Sequence, residues 1–270
     1  MGDGICRVKD MLLPEHEGVR YVVVWQGDHG AVMEVETLRK RGDVRVVVME
    51  GRGLSRSRNR CMETALMWMN ELGVRPEEGV LLLADDDEVL SDAVPQRVVG
   101  YYADHAEAQV VLWRVRTCDG GWLKRYPDRE MAYAERPRWY YPSSVEMTMR
   151  ATVAQGGCRF DERFGLGSEA LCAGEEEVFV WDAMQMGWSV CLVPQVIAAT
   201  DGDTTGRRVL DSEVLRSKGA VYARTLSPLA ARVRMWREAL GLWRRYKAPM
   251  CQMLRCMKEG ALHISQKTKP

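Results

Sequence analysis

Three short runs, VRYVVVWQ at 19–26, VRVVVM at 44–49 and VLLLA at 80–84, are β-branched or aliphatic almost throughout and show no alternation of apolar and polar positions. A strand that is apolar on both faces must be covered on both, as in a parallel sheet flanked by helices. Between the second and third runs, GRGLSRSRN turns into a stretch where Cys61, Ala65, Trp68, Met69 and Leu72 recur at one-face helical spacing. Ser55 or Ser57 is placed to cap that helix, and Gly73 and Pro76 to stop it. Strand, helix, strand in this order predicts a βαβ unit with a right-handed crossover. An α/β class follows.

Downstream, Ala93–Ala103 reads as a helix with Pro95 in its first turn, and AQVVLWRVR (108–116) as a strand. Thr117–Pro142 is rich in Gly, Pro, Trp, Tyr and Arg and reads as a long surface excursion. Val145–Ala151 alternates, as in a strand at or near a sheet edge. Gly174–Met186 is helical, ended by Gly187, and Ser189–Val193 is a strand closed by Pro194. From Asp211 onward the pattern is helical, so the expected division is a catalytic body at 1–206 and a helical extension at 207–270.

Charge separates the same two parts. The chain balances 38 Lys and Arg against 38 Asp and Glu, which disfavours a dedicated nucleic-acid binder. From Arg207 on there are 15 basic and 4 acidic residues, a net of +11, so the body carries −11. Within that tail Leu229, Val233, Trp236, Leu240 and Trp243 form an apolar stripe among Arg232, Arg234, Arg237, Arg244 and Arg245. Such a stripe either docks on the body or lies on an anionic membrane surface through 229–245. Eight cysteines without a CxxC pair, no apolar run of membrane-spanning length, and an opening MGDGICRVKD without a signal-peptide pattern point to a reducing cytoplasm. Contact with the inner face of the membrane is the expected exception.

Chemistry concentrates at three places. Asp85, Asp86 and Asp87 close a buried strand, where like charges repel and call for a cation. Ligands of open α/β sheets bind at that end, and oxygen-only donors suit Mg²⁺ or Mn²⁺ shared with substrate phosphates. An acidic turn that merely caps the next helix has the same composition. The Gly51–Asn59 turn precedes a helix N-terminus and carries Arg56 and Arg58, a place for an anion such as a diphosphate. Glu175, Glu176 and Glu177 open a third helix, either complementing its dipole or supplying a general base.

Taken together, GLSRSRN before a helix, LLLADDDEVL on the next strand and FDERFGLGSEALCAGEEEVFVWDAMQMGWSVCLVP resemble a family 2 glycosyltransferase over roughly Val19–Thr205. The resemblance implies a GT-A-like, Rossmann-type nucleotide-binding domain with a central, mostly parallel sheet. It implies metal-dependent, inverting transfer of a hexose or N-acetylhexosamine from a UDP-linked sugar to a glycan or lipid-linked glycan, as in bacterial surface polysaccharide synthesis. Asp85 and Asp87 match the metal-binding DxD, with Mn²⁺ or Mg²⁺ as cofactor. Gln26, Gly53, Ser55, Arg58, Asn59, Asp85 and Asp86 fall at donor positions. Glu175 and Glu176 match the family's Glu-Asp pair, with Glu176 as base. Asp201 or Asp203 stands where a histidine ligand commonly follows the last strand, and Trp139 and Arg163 are candidate acceptor contacts. A sugar-phosphate nucleotidyltransferase and a non-catalytic nucleotide-sugar-binding subunit are the rival readings. The first expects a glycine-rich loop after the first strand, where VVVWQGDHGAV has only Gly27 and Gly30.

Overall fold

The computed structural model describes residues 4–26, 32–201 and 208–267. Helix α1 (Ile5–Met11) precedes strand β1 (Tyr21–Gln26), α2 (Val32–Arg39), β2 (Val44–Met49) and α3 (Leu54–Glu71). Next come β3 (Val80–Leu82), β4 (Val89–Leu90), α4 (Val94–Asp104), β5 (Val110–Thr117), β6 (Met131–Ala132), β7 (Met147–Arg150) and α5 (Ala151–Gln155). Then follow α6 (Glu175–Gln185), β8 (Val190–Thr200), α7 (Ser212–Thr225), α8 (Pro228–Tyr246) and α9 (Met250–Lys267). The fold is mixed α/β with a central sheet.

The chain divides into two compact units. One comprises Met1–Arg52, Arg56–Arg159 and Asp182–Gly202, and the other Gly53–Ser55, Phe160–Trp181 and Asp203–Pro270. The segment from Phe160 to Trp181 therefore groups with the C-terminal helices.

In the first unit β1 and β2 pair in parallel, with Val23 opposite Val46, as a two-stranded sheet. The larger sheet runs β3-β7-β5-β8-β4, with β6 also on β8. Only β5 and β8 are parallel in it; the other described pairs are antiparallel. The sheet is thus mixed where a mostly parallel one was expected, because β7 follows β5 through loops and not through a crossover helix, which leaves antiparallel entry open. Likewise β2 and β3 lie in different sheets, and the parallel unit is β1-α2-β2. Val35 and Leu38 bury the face of α2 with Trp25 and Val44.

Packing refines two further expectations. β7 lies between β3 and β5, one strand in from the edge, near it as expected. Its alternating polar residues face the interior: Thr148 Oγ1 accepts from Trp113 Nε1 at 2.8 Å and lies 3.0 Å from the Tyr102 hydroxyl. β8 runs through Pro194 to Thr200, because the proline falls at a register shift where no ladder bond is demanded of it. The core here joins Val111, Trp113 and Val115 to Val98, Tyr101 and Tyr102 of α4 and to Val193 and Ile197. Each such side chain contributes roughly 1.5–3 kcal/mol by leaving water.

The second unit is built on close helix packing. A Cβ on Gly219 of α7 would strike the backbone of Met257 in α9, and one on Gly260 the Arg216 carbonyl. Ala231, Met235, Ala239 and Leu242 of α8 pack on Met253, Leu254 and Met257 of α9. That buried face is not the stripe singled out from sequence. Leu229, Val233, Trp236 and Trp243 are exposed. Within this unit α8 meets α9 through the face of Ala231, Met235, Ala239 and Leu242, whose small residues at 231 and 239 allow close approach. Among the described residues no helix is long and apolar enough to cross a membrane.

Candidate functional site

The acidic turn leaves β3 through Leu83 and Ala84, and each of its carboxylates is held by a different element. Asp85 Oδ1 accepts from Arg58 Nη2 of α3 at 3.2 Å, and the same guanidinium reaches Ser144 Oγ at 2.5 Å. Asp86 Oδ1 accepts from Arg7 Nη2 of α1 at 3.0 Å, with Gly4 packed directly on its carboxylate. Asp87 Oδ2 accepts from Thr200 Oγ1 of β8 at 2.9 Å. The cation demanded by three adjacent aspartates is thus supplied in part by two arginines. Arg58 stands where sequence placed it, and Arg7 was not foreseen.

Glu88 completes the turn. Its side chain is 1% exposed; Oε1 accepts from the Asp85 N–H at 3.0 Å, and Oε2 is buried without a hydrogen-bond partner. Burial, then the charge of Asp85, push its carboxyl well above the ordinary range, which favours the protonated form. Sequence reasoning stopped at the triplet, although a fourth acid beside it was a signal that one would be pushed toward its neutral form.

The Gly51–Asn59 turn is reshaped by its neighbours. Helix α3 begins at Leu54, so Ser55 and Ser57 lie within it and do not cap it. Gly51 (φ 80°) and Gly53 (φ 144°) take backbone conformations that favour glycine. The Leu54 N–H donates to the Leu166 carbonyl at 2.8 Å, and the buried Ser55 hydroxyl to the Phe164 carbonyl at 2.7 Å. This seats Gly53 to Ser55 on the FGLG turn, whose Gly165 (φ 100°) leaves room for Ser55 Oγ and the Glu175 carboxyl. Asn59 is buried, Arg56 exposed, and Gln26 half-buried at the end of β1.

At the start of α6, Glu175 is buried while Glu176 and Glu177 are half-buried, so Glu176 retains access to solvent. Trp139 is exposed beneath the Arg125 guanidinium, 4.2 Å from the ring centre. Arg163 is bound on both arms by Asp161, at 2.8 and 2.5 Å. Asp201 is exposed, and Asp203, Gly27, Asp28 and Gly30 lie outside the described residues.

The Thr117–Pro142 excursion is more ordered than its composition implied. β6 joins it to β8, and Lys124 Nζ donates to the fully buried Glu146 at 2.7 Å. Tyr126, Tyr140 and Tyr141 surround that ammonium with ring centres 4.5–5.6 Å away.

The donor chemistry of the acidic turn suits part of a Mg²⁺ or Mn²⁺ shell. Asp85 and Asp87 offer hard oxygens two residues apart, and one or two carboxylates with water and phosphate oxygens commonly suffice for such ions. It is not a self-sufficient cage: among the described residues no group of three or more His, Cys, Asp or Glu could hold a metal.

No family model matches the sequence, and no curated protein matches it. A solved structure described as "Crystal Structure of a Mycobacterial Protein" is similar at 11% identity, covering 83% of this chain and 78% of that one, with a TM-score of 0.40.

Proposed function

We propose that the chain is a metal-dependent, inverting glycosyltransferase of GT-A type. It moves a hexose or N-acetylhexosamine from a UDP-linked sugar to a glycan or lipid-linked glycan hydroxyl, in bacterial surface polysaccharide synthesis. The observation that carries this reading is the Asp85–Asp87 turn, an aspartate pair at the carboxyl end of β3 with Arg58 reaching into it. Asp85 and Asp87 would hold Mn²⁺ or Mg²⁺, which supplies Lewis-acid stabilisation of the departing diphosphate.

The chain's own groups do the rest. Arg58 adds fixed positive charge where the leaving group becomes more negative. Glu176 takes the acceptor hydroxyl's proton as that oxygen bonds to the anomeric carbon. The bond from that carbon to the diphosphate breaks with its electron pair leaving on the nucleotide, and attack opposite the leaving group inverts the centre. The transition state carries oxocarbenium character, by analogy with glycoside hydrolysis.

A thermal-shift screen of nucleotide sugars with and without Mn²⁺ tests the reading, because a ligand of the native state raises its melting temperature. The expected result is a metal-dependent shift with one donor, lost in Asp87→Ala. Glu176→Gln keeps that shift and loses transfer. No shift with any nucleotide sugar sinks the donor assignment, and undiminished transfer by Glu176→Gln sinks the base assignment.

A further inference from the structure

We propose that the outward face of α8 is a docking surface for anionic lipid bilayers, independent of the reaction assigned above. Leu229 (72% exposed), Val233 (51%), Trp236 (56%) and Trp243 (42%) present a continuous apolar strip, while the helix meets α9 through a different face. At about 100° per residue, those four side chains and Leu240 fall within an arc of roughly 80°. On the same projection the buried face is centred about 120° away.

The charge pattern selects the occupant. Arg232 borders one side of the strip and Arg237 and Arg244 the other, all exposed. The only acid in α8, Glu238, is paired with Lys218 of α7 at 2.6 Å and turned from the strip. Exposed tryptophans between arginines, with no facing carboxylate on the helix, match the headgroup region: apolar rings at the acyl boundary, guanidinium groups on lipid phosphates. A protein partner of acidic character or a second copy of this face would leave one requirement unmet. The first does not call for an uncovered apolar strip some 20 Å long, and the second sets arginine against arginine.

Co-sedimentation of the full chain tests this with vesicles of phosphatidylcholine alone and of phosphatidylcholine with one third phosphatidylglycerol, at ~0.1 M salt. The protein should pellet with the anionic vesicles and stay in solution with the neutral ones. The triple variant Arg232→Gln, Arg237→Gln, Arg244→Gln should weaken partitioning about a hundredfold, near fivefold for each charge removed. Trp236→Ser with Trp243→Ser should also abolish pelleting, with melting temperature and far-ultraviolet dichroism as controls for folding. No pelleting, equal pelleting with both vesicle types, or unchanged behaviour of correctly folded variants overturns the proposal. So does a dimer in sedimentation equilibrium that the tryptophan variant dissociates, since a second copy would then cover the face. Donor binding in the thermal-shift screen is unaffected by either outcome.

Discussion

Replacing Lys124 with Met removes one charge from a deeply buried ion pair and retains most of the side-chain stem. Glu146 is 0% and Lys124 6% exposed at the side chain, and once the ammonium is gone the carboxylate is left with neutral donors such as the Tyr140 hydroxyl at 2.6 Å and the Ser143 N–H at 2.9 Å. Leaving one partner of a buried pair uncompensated costs about 3–5 kcal/mol. For a chain of this size that lowers the melting temperature by ~10 °C at neutral pH. The pH dependence gives the sharper test. Burial already raises the Glu146 carboxyl above its ordinary value, and Lys124 is the main charge pulling it back. Without Lys124 the folded-state pKa climbs further. A carboxyl whose folded pKa exceeds its unfolded one holds its proton more firmly in the folded state, so stability is fullest below the unfolded value and falls as pH rises through the folded one. The Lys124→Met deficit should therefore be small near pH 4.5 and largest near pH 8, read by near-ultraviolet dichroism melts. A deficit equal at both ends, or a melting temperature within a degree of the parent at pH 8, refutes the account.

Three other outcomes follow from the same structure. Glu88→Gln replaces a carboxyl whose pKa is raised by burial with a neutral isostere, so the variant should match the parent near pH 5. It should melt higher near pH 8, where the parent loses stability as Glu88 is forced toward ionisation. Gly219→Ala drives a methyl into the Met257 backbone and should cost ~1–3 kcal/mol in urea titration. Gly241→Ala, on α8 with open space around it, should instead gain up to about 1 kcal/mol from helix propensity.

The parts of the fold legible in sequence are those where one residue pattern has one physical use. The apolar runs at 19–26, 44–49 and 80–84 contain β1, β2 and β3, the helical face lies within α3 from Cys61 to Met69 with Leu72 just past its end, and Gly187 (φ 86°) follows the end of α6. Strand neighbours were not legible, because pairing depends on which connections carry helices, and the Val32, Val35, Leu38 spacing of α2 went unread. β7 lies near the edge as read, but its alternation did not reveal that Thr148 is buried, because a buried threonine satisfied by Trp113 looks, in one dimension, like a solvent-facing one. In α8 the periodicity located an apolar stripe, but the face packed on α9 is that of Ala231, Met235, Ala239 and Leu242. In the acidic turn the need for a cation was legible, and its source was not. Arg7 sits 79 residues from Asp86, a separation no local pattern spans.

If the turn holds metal and donor as proposed, that arrangement predicts the order in which they bind. Asp85 and Asp86 each face an arginine, so the three aspartates are largely offset by Arg7 and Arg58. Such a turn has little to offer a divalent ion arriving alone, because Arg58 repels it at Asp85. On the reading proposed above, a nucleoside diphosphate would reverse the balance: its phosphates would engage Arg58 and draw it from the carboxylate. Metal and donor should then bind as a linked pair, each raising the other's affinity by the same factor. Calorimetry should show weak Mn²⁺ binding to the free protein and at least tenfold tighter binding with the nucleoside diphosphate present. In Arg58→Gln, Mn²⁺ alone should bind more tightly and the coupling should shrink. Strong Mn²⁺ binding to the unmodified protein without nucleotide would contradict the idea that arginine guards the site.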